Sequence, residues 1–373
     1  MNYILTLGFL ALGPLLLTAL SIPYIKRLAW SFGLVDHPAQ GGHKSHQRPT
    51  PYGGGMAIFL GTLFPVVIFL LYTFHLILSS ADPTFLWAPV SAFFLKGIKQ
   101  VSILVGCASI LFLVGLIDDW RGLPPLPRFL IETATACILV FEAPAFRLTL
   151  FTDHALVAVP LTVLWIVSLT NAFNFLDNMD GLIAGIAAIA LVFLALIALH
   201  GGHIPCAILA LVLVGAIGGF LLYNFPPASV FMGDAGGLFL GFLISGISVL
   251  LSHHFSQASP HPVANFPRLL APLLVLIVPV YDLMSVVLIR LGNGRPPWIG
   301  DNNHISHRLV HLGLSRRRAV LAIYLLTLLT GLPAFFVLRT GSWTAWLLVF
   351  LVVAFSGLMA AIDFQARRLH RPA

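Results

Sequence analysis

Charge is scarce in this chain. Of its 373 residues only 9% are Asp, Glu, Lys or Arg, where a soluble domain carries roughly 25%. So few charges do not cover a water-exposed globule of this length, and a soluble protein is excluded. Cysteine is equally sparse. Cys107, Cys137 and Cys206 stand in apolar runs with no metal-ligand spacing, which argues against a zinc module; they read as small core or lipid-facing residues. Long polar segments are also missing. The longest polar connection, residues 23–53, is shorter than the roughly 50 residues a separate domain takes. No internal repeat is evident.

What is present is apolar sequence: 59% hydrophobic residues and a mean hydropathy of +0.98. A helix crosses a bilayer with about 20 apolar residues. Eleven runs approach that length, near 3–22, 54–74, 98–117, 128–143, 155–172, 181–199, 204–223, 235–252, 269–290, 319–338 and 342–362. The expected fold is therefore an all-α polytopic integral membrane protein of about eleven transmembrane helices, one domain over 1–373, with the bilayer as its partner. The first run lacks a basic leader and an A-x-A cleavage site, so it is expected to be retained.

The formal charge is +7, from 20 basic and 13 acidic residues. Fifteen of the basic residues fall in one set of alternate connections and five in the other. In a membrane protein that bias reports orientation, not nucleic-acid binding. It places the richer set in the cytoplasm, with the N-terminus outside and the C-terminus inside. Asp36, Asp118, Asp119, Asp177, Asp180, Asp234, Asp301 and Asp363 all fall on that same face. A cytoplasmic cleft lined by carboxylates is expected.

Four stretches carry the chemistry. In "GLIDDWRGLPP", Asp118 and Asp119 end the third run. They are either solvated acids at a helix end or a pair whose repulsion, and opposition to the helix dipole, is compensated by a cation. In "SLTNAFNFLDNMDGLIAGI", Asn171, Asn174, Asp177, Asn178 and Asp180 lie within ten residues. A helix cap needs one such residue, and five at membrane depth point to a site. In "NFPPASVFMGDAGGLFLGF", Asp234 is a good cap for the next helix, but the small residues after it also let phosphate approach backbone N–H groups. Phe231 is either core or a stacking plate for a base. In "GDNNHISHRLVHLGLSRRR", His304, His307, Arg308 and His311 share one helical face. They lack an acidic or Cys partner at zinc spacing and suit phosphate oxygens.

Two features are weaker. In "HKSHQRPTPYGGGMAIF" the glycines either hinge the second span or admit a ligand, and Lys44 and Arg48 either touch phosphate or anchor the topology. Asp282 lies within the ninth run and either pairs with a neighbouring helix or lines a cavity. Asn and Asp oxygens together suit a hard cation such as Mg²⁺, with phosphates as its other ligands. This combination predicts phosphoryl transfer between a nucleotide and a lipid.

The ordered set "LIDDWRG", "NAFNFLDNMDGL", "FMGDAGG" and "HISHRL", with "PTPYGGG" before it, resembles the polyprenyl-phosphate N-acetylhexosamine-1-phosphate transferases over nearly the whole chain. The resemblance implies transfer of a sugar-1-phosphate from a UDP-N-acetylhexosamine to a polyprenyl phosphate such as undecaprenyl phosphate. UMP is released, with Mg²⁺ as cofactor and Mn²⁺ as a second candidate. It implies catalytic roles for Asp118 and Asp119, with Asp118 driving attack by the lipid phosphate. Asp234 and Asn174 would be metal ligands. Asn171, Asp177 and Asp180 would lie at the nucleotide-sugar site, Phe231 would stack on uracil, and His304, His307 and Arg308 would hold the diphosphate. A bacterial cytoplasmic membrane location is expected, and a homodimer is compatible with it.

Two departures from the family pattern stand out. Ser306 replaces a His of H-x-H-H, and Asn178 replaces a Gly of D-G-x-D-G. The pattern is similar to the branch using simple UDP-N-acetylhexosamines rather than to the muramoyl-pentapeptide branch. A secondary transporter of an anionic solute is the alternative from another class. Transporters place their polar residues at mid-membrane, often within repeats, whereas here they collect at one interface.

Overall fold

A computed structural model describes residues 2–37, 49–79, 97–257 and 262–369. The described residues form thirteen α-helices and one two-stranded sheet. The helices are α1 (Asn2–Ser31), α2 (Gly54–Ser79), α3 (Ile98–Arg121), α4 (Pro125–Glu142), α5 (Ala155–Phe175), α6 (Leu182–His200), α7 (Ile204–Asn224), α8 (Gly233–Gln257), α9 (Pro262–Leu274), α10 (Ile277–Gly292), α11 (Ile305–His311), α12 (Arg316–Phe336) and α13 (Ser342–Leu369). The all-α membrane fold holds. Among the described residues eight helices are long and apolar enough to cross a membrane, or nine if the bent pair α9–α10 is one span. The helices α1 and α4 stand outside that count.

Helix α8 is the axis of the bundle. The whole of its apolar window is buried, and it packs on α3, α5, α2 and α9. Lipid tails are as apolar as the helices, so close backbone packing holds such a bundle together. The α8 sequence supplies it through glycine. A Cβ on Gly236 would lie 2.9 Å from the Gly55 Cα of α2, and one on Gly241 2.8 Å from the Thr170 Cα of α5. Gly55 in turn sits against the Gly236 backbone, at 2.4 Å from a built Cβ to the Gly236 nitrogen. The second and third glycines of "YGGG" are therefore packing residues: Gly54 lies beneath the Phe220 ring and Gly55 beneath α8.

The segment before α2 is tied to the start of α8. Strands β1 (Val35–Asp36) and β2 (Thr50–Pro51) pair antiparallel, Val35 with Pro51 and Asp36 with Thr50. Tyr52 then bridges to Phe231, and the Gly54 and Gly55 N–H groups donate to the Phe231 and Met232 carbonyls at 2.9 Å each. Lys44 and Arg48 lie outside the described residues.

The ninth apolar run is not straight. Helices α9 and α10 meet at 70°, and Pro279 stands in the first turn of α10, four residues after Val275. Proline removes a backbone donor and crowds the preceding turn, which breaks a helix. The bend sends α10 across the end of α5, carrying Asp282 and Arg290 with it.

Candidate active site

The site begins at the first turn of α8. Gly233 adopts φ 74°, which favours glycine, and a Cβ there would lie 2.5 Å from Asp119 Oδ2. The early N–H groups of a helix need partners from outside it. Asp119 of α3 accepts from the N–H of Asp234 at 2.7 Å and of Ala235 at 3.1 Å. Asp177 accepts from the Gly233 N–H at 3.2 Å. Capping of α8 thus falls to Asp119, which leaves the Asp234 side chain for other work.

Asp234 accepts from the Asn174 side-chain amide and lies 3.6 Å from the Arg128 guanidinium. The same guanidinium nitrogen is 2.9 Å from Asp118 Oδ2, so Asp118 and Asp234 share one cation. Asp118 also accepts from the Leu123 N–H at 2.6 Å. Arg128 reaches Glu132 at 3.5 Å, and Glu132 accepts from Asn171. Asn171 is therefore engaged with a buried glutamate of α4, while Asn174 orients Asp234.

This end of the bundle gathers Asp118, Glu132 and Asp234 around one guanidinium, with Asp119 and Asp177 on the adjoining backbone N–H groups. Burial first, and then the charge of Asp234, push the Asp177 carboxyl up to about 7. Uncompensated carboxylates with amide oxygens nearby make a donor set for a hard divalent cation. No group of three or more His, Cys, Asp or Glu is arranged as a metal cage among the described residues. Mg²⁺ would be held by one or two of these carboxylates, with phosphate and water completing its shell.

Beside this cluster opens a cleft of about 950 Å³. Its acidic wall is the turn after α5, with Asp177, Asn178 and Asp180. Asp180 accepts from the Ala228 N–H at 2.9 Å and so fixes the turn before α8. Phe231 lines the cleft floor beside Tyr52, their ring centroids 6.3 Å apart. The opposite wall carries Arg290, Asp301, His304, His307 and Arg316, with Trp298 at the rim.

Arg290 is buried, yet it lies over the Phe175 ring at 5.5 Å. Asp301 grips it through Nε at 3.1 Å and Nη2 at 3.2 Å. Burial works against the Asp301 charge, but hydrogen bonds from Arg290 and Asn303 outweigh it and hold the carboxyl at about 2. His304 donates from Nδ1 to Asp282, 2.8 Å away. His307 is pushed down to about 4, first by burial and then by His304, His311 and Arg316. Both influences favour the neutral ring over the imidazolium.

Arg308 is not among the cleft-lining residues. Its guanidinium bonds to the Ser285 hydroxyl at 3.0 Å and the Asn303 carbonyl at 2.8 Å, pinning α11 to α10. The two departures from the family pattern meet each other. Ser306 donates to Asn178 Oδ1 at 2.6 Å, and Asn178 donates to the Phe175 carbonyl at 2.9 Å. This strut ties the acidic turn to the histidine helix across 128 residues of sequence.

The structure thus brings Asp118, Asp119, Asn174, Asp177 and Asp234 into one network, with His304 and His307 across the adjoining cleft. Sequence reasoning missed Arg128, Glu132, Arg290 and Asp301 as members of the site. A signal existed for two of them: Arg128 and Glu132 are an i, i+4 ion pair in an otherwise apolar helix, and ionisable residues at membrane depth usually have partners and roles.

Comparison with known proteins agrees with this architecture. Residues 101–252 match the model of glycosyl transferase family 4. The probable undecaprenyl-phosphate N-acetylglucosaminyl 1-phosphate transferase of Bacillus subtilis (strain 168) is 34% identical over 364 residues, covering 96% of this chain and 92% of that protein. A decaprenyl-phosphate N-acetylglucosaminephosphotransferase of Mycolicibacterium smegmatis is 32% identical, covering 86% of this chain and 79% of its own length. The undecaprenyl-phosphate alpha-N-acetylglucosaminyl 1-phosphate transferase of Escherichia coli (strain K12) is 25% identical over 83% of this chain. Fold and site together define a multi-pass membrane protein with a carboxylate-rich cleft at one end. The chain belongs to glycosyl transferase family 4, among its polyprenyl-phosphate N-acetylhexosamine-1-phosphate transferases.

Proposed function

We propose that this protein transfers N-acetylglucosamine 1-phosphate from UDP-N-acetylglucosamine to undecaprenyl phosphate, releasing UMP, at the cytoplasmic face of a bacterial membrane. One observation carries the reading: the carboxylate network at the head of α8 adjoins, through Asp177, a cleft that Arg290, His304, His307 and Arg316 also line. Such a cleft suits a diphosphate with a cation on one side and hydrogen-bond donors on the other. The names of the three relatives support the sugar and the polyprenyl acceptor. The side of the membrane is supported by the basic residues at this end, Arg121, Arg128, Arg295 and Arg316–Arg318 among them.

The reaction is an in-line displacement at the β-phosphorus. An oxygen of the lipid phosphate forms the new P–O bond, and the bond to the α-phosphate breaks, its electron pair leaving on UMP. Asp118 takes the proton of the lipid phosphate when that phosphate arrives protonated, and Arg128 beside it steadies the incoming anion. Asp177 and Asp180 frame the nucleotide sugar, and Phe231 offers its ring face to uracil. His304 and His307 hold the diphosphate oxygens. Asp234, oriented by Asn174, would hold Mg²⁺ or Mn²⁺, and the ion would supply charge neutralisation on the diphosphate. Positioning and electrostatics do most of the work in such a transfer.

The test uses purified protein with undecaprenyl phosphate and a panel of UDP-sugars. UMP release is expected with UDP-N-acetylglucosamine and only when the lipid phosphate is present. Nucleotide sugar that crosses a vesicle membrane intact, with no UMP formed, would establish the transporter instead. Two topology reporters test the sidedness: one after Arg371 should read cytoplasmic, one within 252–266 external.

A further inference from the structure

Asp282 is a buried carboxylate whose place in the chemistry the transfer reaction does not by itself explain. It sits in α10, 1% exposed, where the 70° bend has brought that helix across the end of α5. An unpaired charge at such depth is costly. Asp282 has two donors, and both come from one place: His304 Nδ1 at 2.8 Å and the Ile305 N–H at 2.7 Å. Among the described residues His304 is the one histidine in contact with a carboxylate. Three half-buried rings pair differently: His253 and His254 reach backbone carbonyls, and His203 accepts from a backbone N–H.

A carboxylate accepts and does not donate, so Nδ1 must carry the ring proton. Ring orientation is settled by the same contact, and the Phe175 ring packs against it at 6.2 Å, edge to face. With Nδ1 committed, Nε2 is the nitrogen that remains for the cleft His304 lines. Resting on the transferase reading above, we propose that Asp282 is a positioning residue for the transfer. Through His304 Nδ1 it fixes the tautomer and the direction in which His304 Nε2 meets the diphosphate of the nucleotide sugar. The logic is that of an orienting carboxylate behind a working imidazole.

The competing account makes Asp282 a cap for α11 and nothing more. Asp282→Asn separates the two. An amide still accepts from the Ile305 N–H, and Asn caps as well as Asp. It offers His304 an N–H where a carboxylate stood, so Nδ1 must turn acceptor and the ring proton moves to Nε2. Turnover of UDP-N-acetylglucosamine should fall on the order of tenfold or more, with KM within about twofold and the melting temperature nearly unchanged. Introduced into His304→Gln, the same Asp282→Asn change should cost nothing further. An equal loss in both backgrounds, or wild-type turnover in Asp282→Asn, overturns the proposal.

A second measurement does not depend on the variant folding. In the unaltered protein with nitrogen-labelled histidine, the His304 signal, identified by its loss in His304→Gln, should show a proton on Nδ1. A proton on Nε2 alone overturns the proposal. Unaltered protein that releases no UMP breaks the transferase reading instead, and the ring-proton measurement then decides whether the Asp282–His304 pair exists.

Discussion

The two ends of α8 both bury polar side chains, but they satisfy them differently. At the C-terminal end His253 meets the Arg147 carbonyl at 3.3 Å and His254 the Gly201 carbonyl at 2.9 Å. Ser256 donates to the His253 carbonyl and accepts from Thr149. Every one of these partners is neutral. At the N-terminal end Asp118, Glu132 and Asp234 share Arg128, while Asp119 and Asp177 accept from the first N–H groups of α8. Polar groups paired with neutral partners are sufficient to explain themselves as structure. Carboxylates held together beyond the reach of one guanidinium are not, and perturbed charge of that kind marks working sites. The contrast locates the chemistry at one end of the bundle.

The comparison is broken most severely at Asp234. Asp234→Asn keeps size and the possibility of hydrogen bonding but removes the charge. Because Asp119 caps α8, the helix start should survive and the melting temperature should hardly move. UMP release should fall on the order of a hundredfold or more, the loss of a few kcal/mol of transition-state stabilisation. Near-normal release across a Mg²⁺ titration would remove Asp234 from the metal site.

Arg128→Met should come next. It strands Asp118, Glu132 and Asp234 without their shared cation, which for a largely buried pair costs about 3 kcal/mol. Both thermal stability and UMP release should drop. A change in activity alone would mean that Arg128 serves the substrate and not the network.

A smaller effect is expected at the strut between the cleft walls. Ser306→Ala removes the bond to Asn178, worth about 1 kcal/mol, and turnover should fall several-fold. Asn178→Ala should cost a similar amount, and the double variant little more than either single change. Fully additive losses would show the two residues acting separately.

The smallest effect lies at the other end of α8. His203, which faces His254 at 5.0 Å, is pushed down to about 4, by burial first and then by His254. Its unfolded value is near 6.5, so the unfolded chain binds the proton more readily. Stability is fully present above about pH 6.5 and is lost as the pH falls towards 4, by at most about 1.4 kcal/mol per pH unit. His203→Asn should flatten that part of the melting-temperature profile and leave UMP release at neutral pH unaltered. A loss of activity there would erase the distinction between the two ends.

Much of this was legible in the sequence because the chain is so apolar. In such a background Asp118, Asp119, Asn174, Asp177, Asp234 and His304 stand out one by one, and their order along the chain points to one face. Their partners were less visible. Glu132 gains its meaning from Asn171, 39 residues away, and Asp282 from His304, 22 residues further on. Arg128 and Arg290 read as topology signals, since a count of basic residues treats each as an anchor and is blind to what it grips. The number of spans was also less secure than the fold. Helix α4 carries Arg128 and Glu132 on an apolar frame, buries one face through Glu132, Thr135, Ala136, Leu139 and Val140, and stands outside the helices apolar enough to cross a membrane.

The central claim is that the carboxylate end of α8 moves a sugar phosphate from nucleotide to lipid. The most direct measurement follows a radiolabel at the β-phosphorus of UDP-N-acetylglucosamine, in the presence of undecaprenyl phosphate and Mg²⁺. The account predicts that the label enters the lipid phase together with the sugar while unlabelled UMP appears in equal amount, and that Asp234→Asn suppresses both. Label that stays in water, as intact nucleotide sugar or as inorganic phosphate, would contradict it.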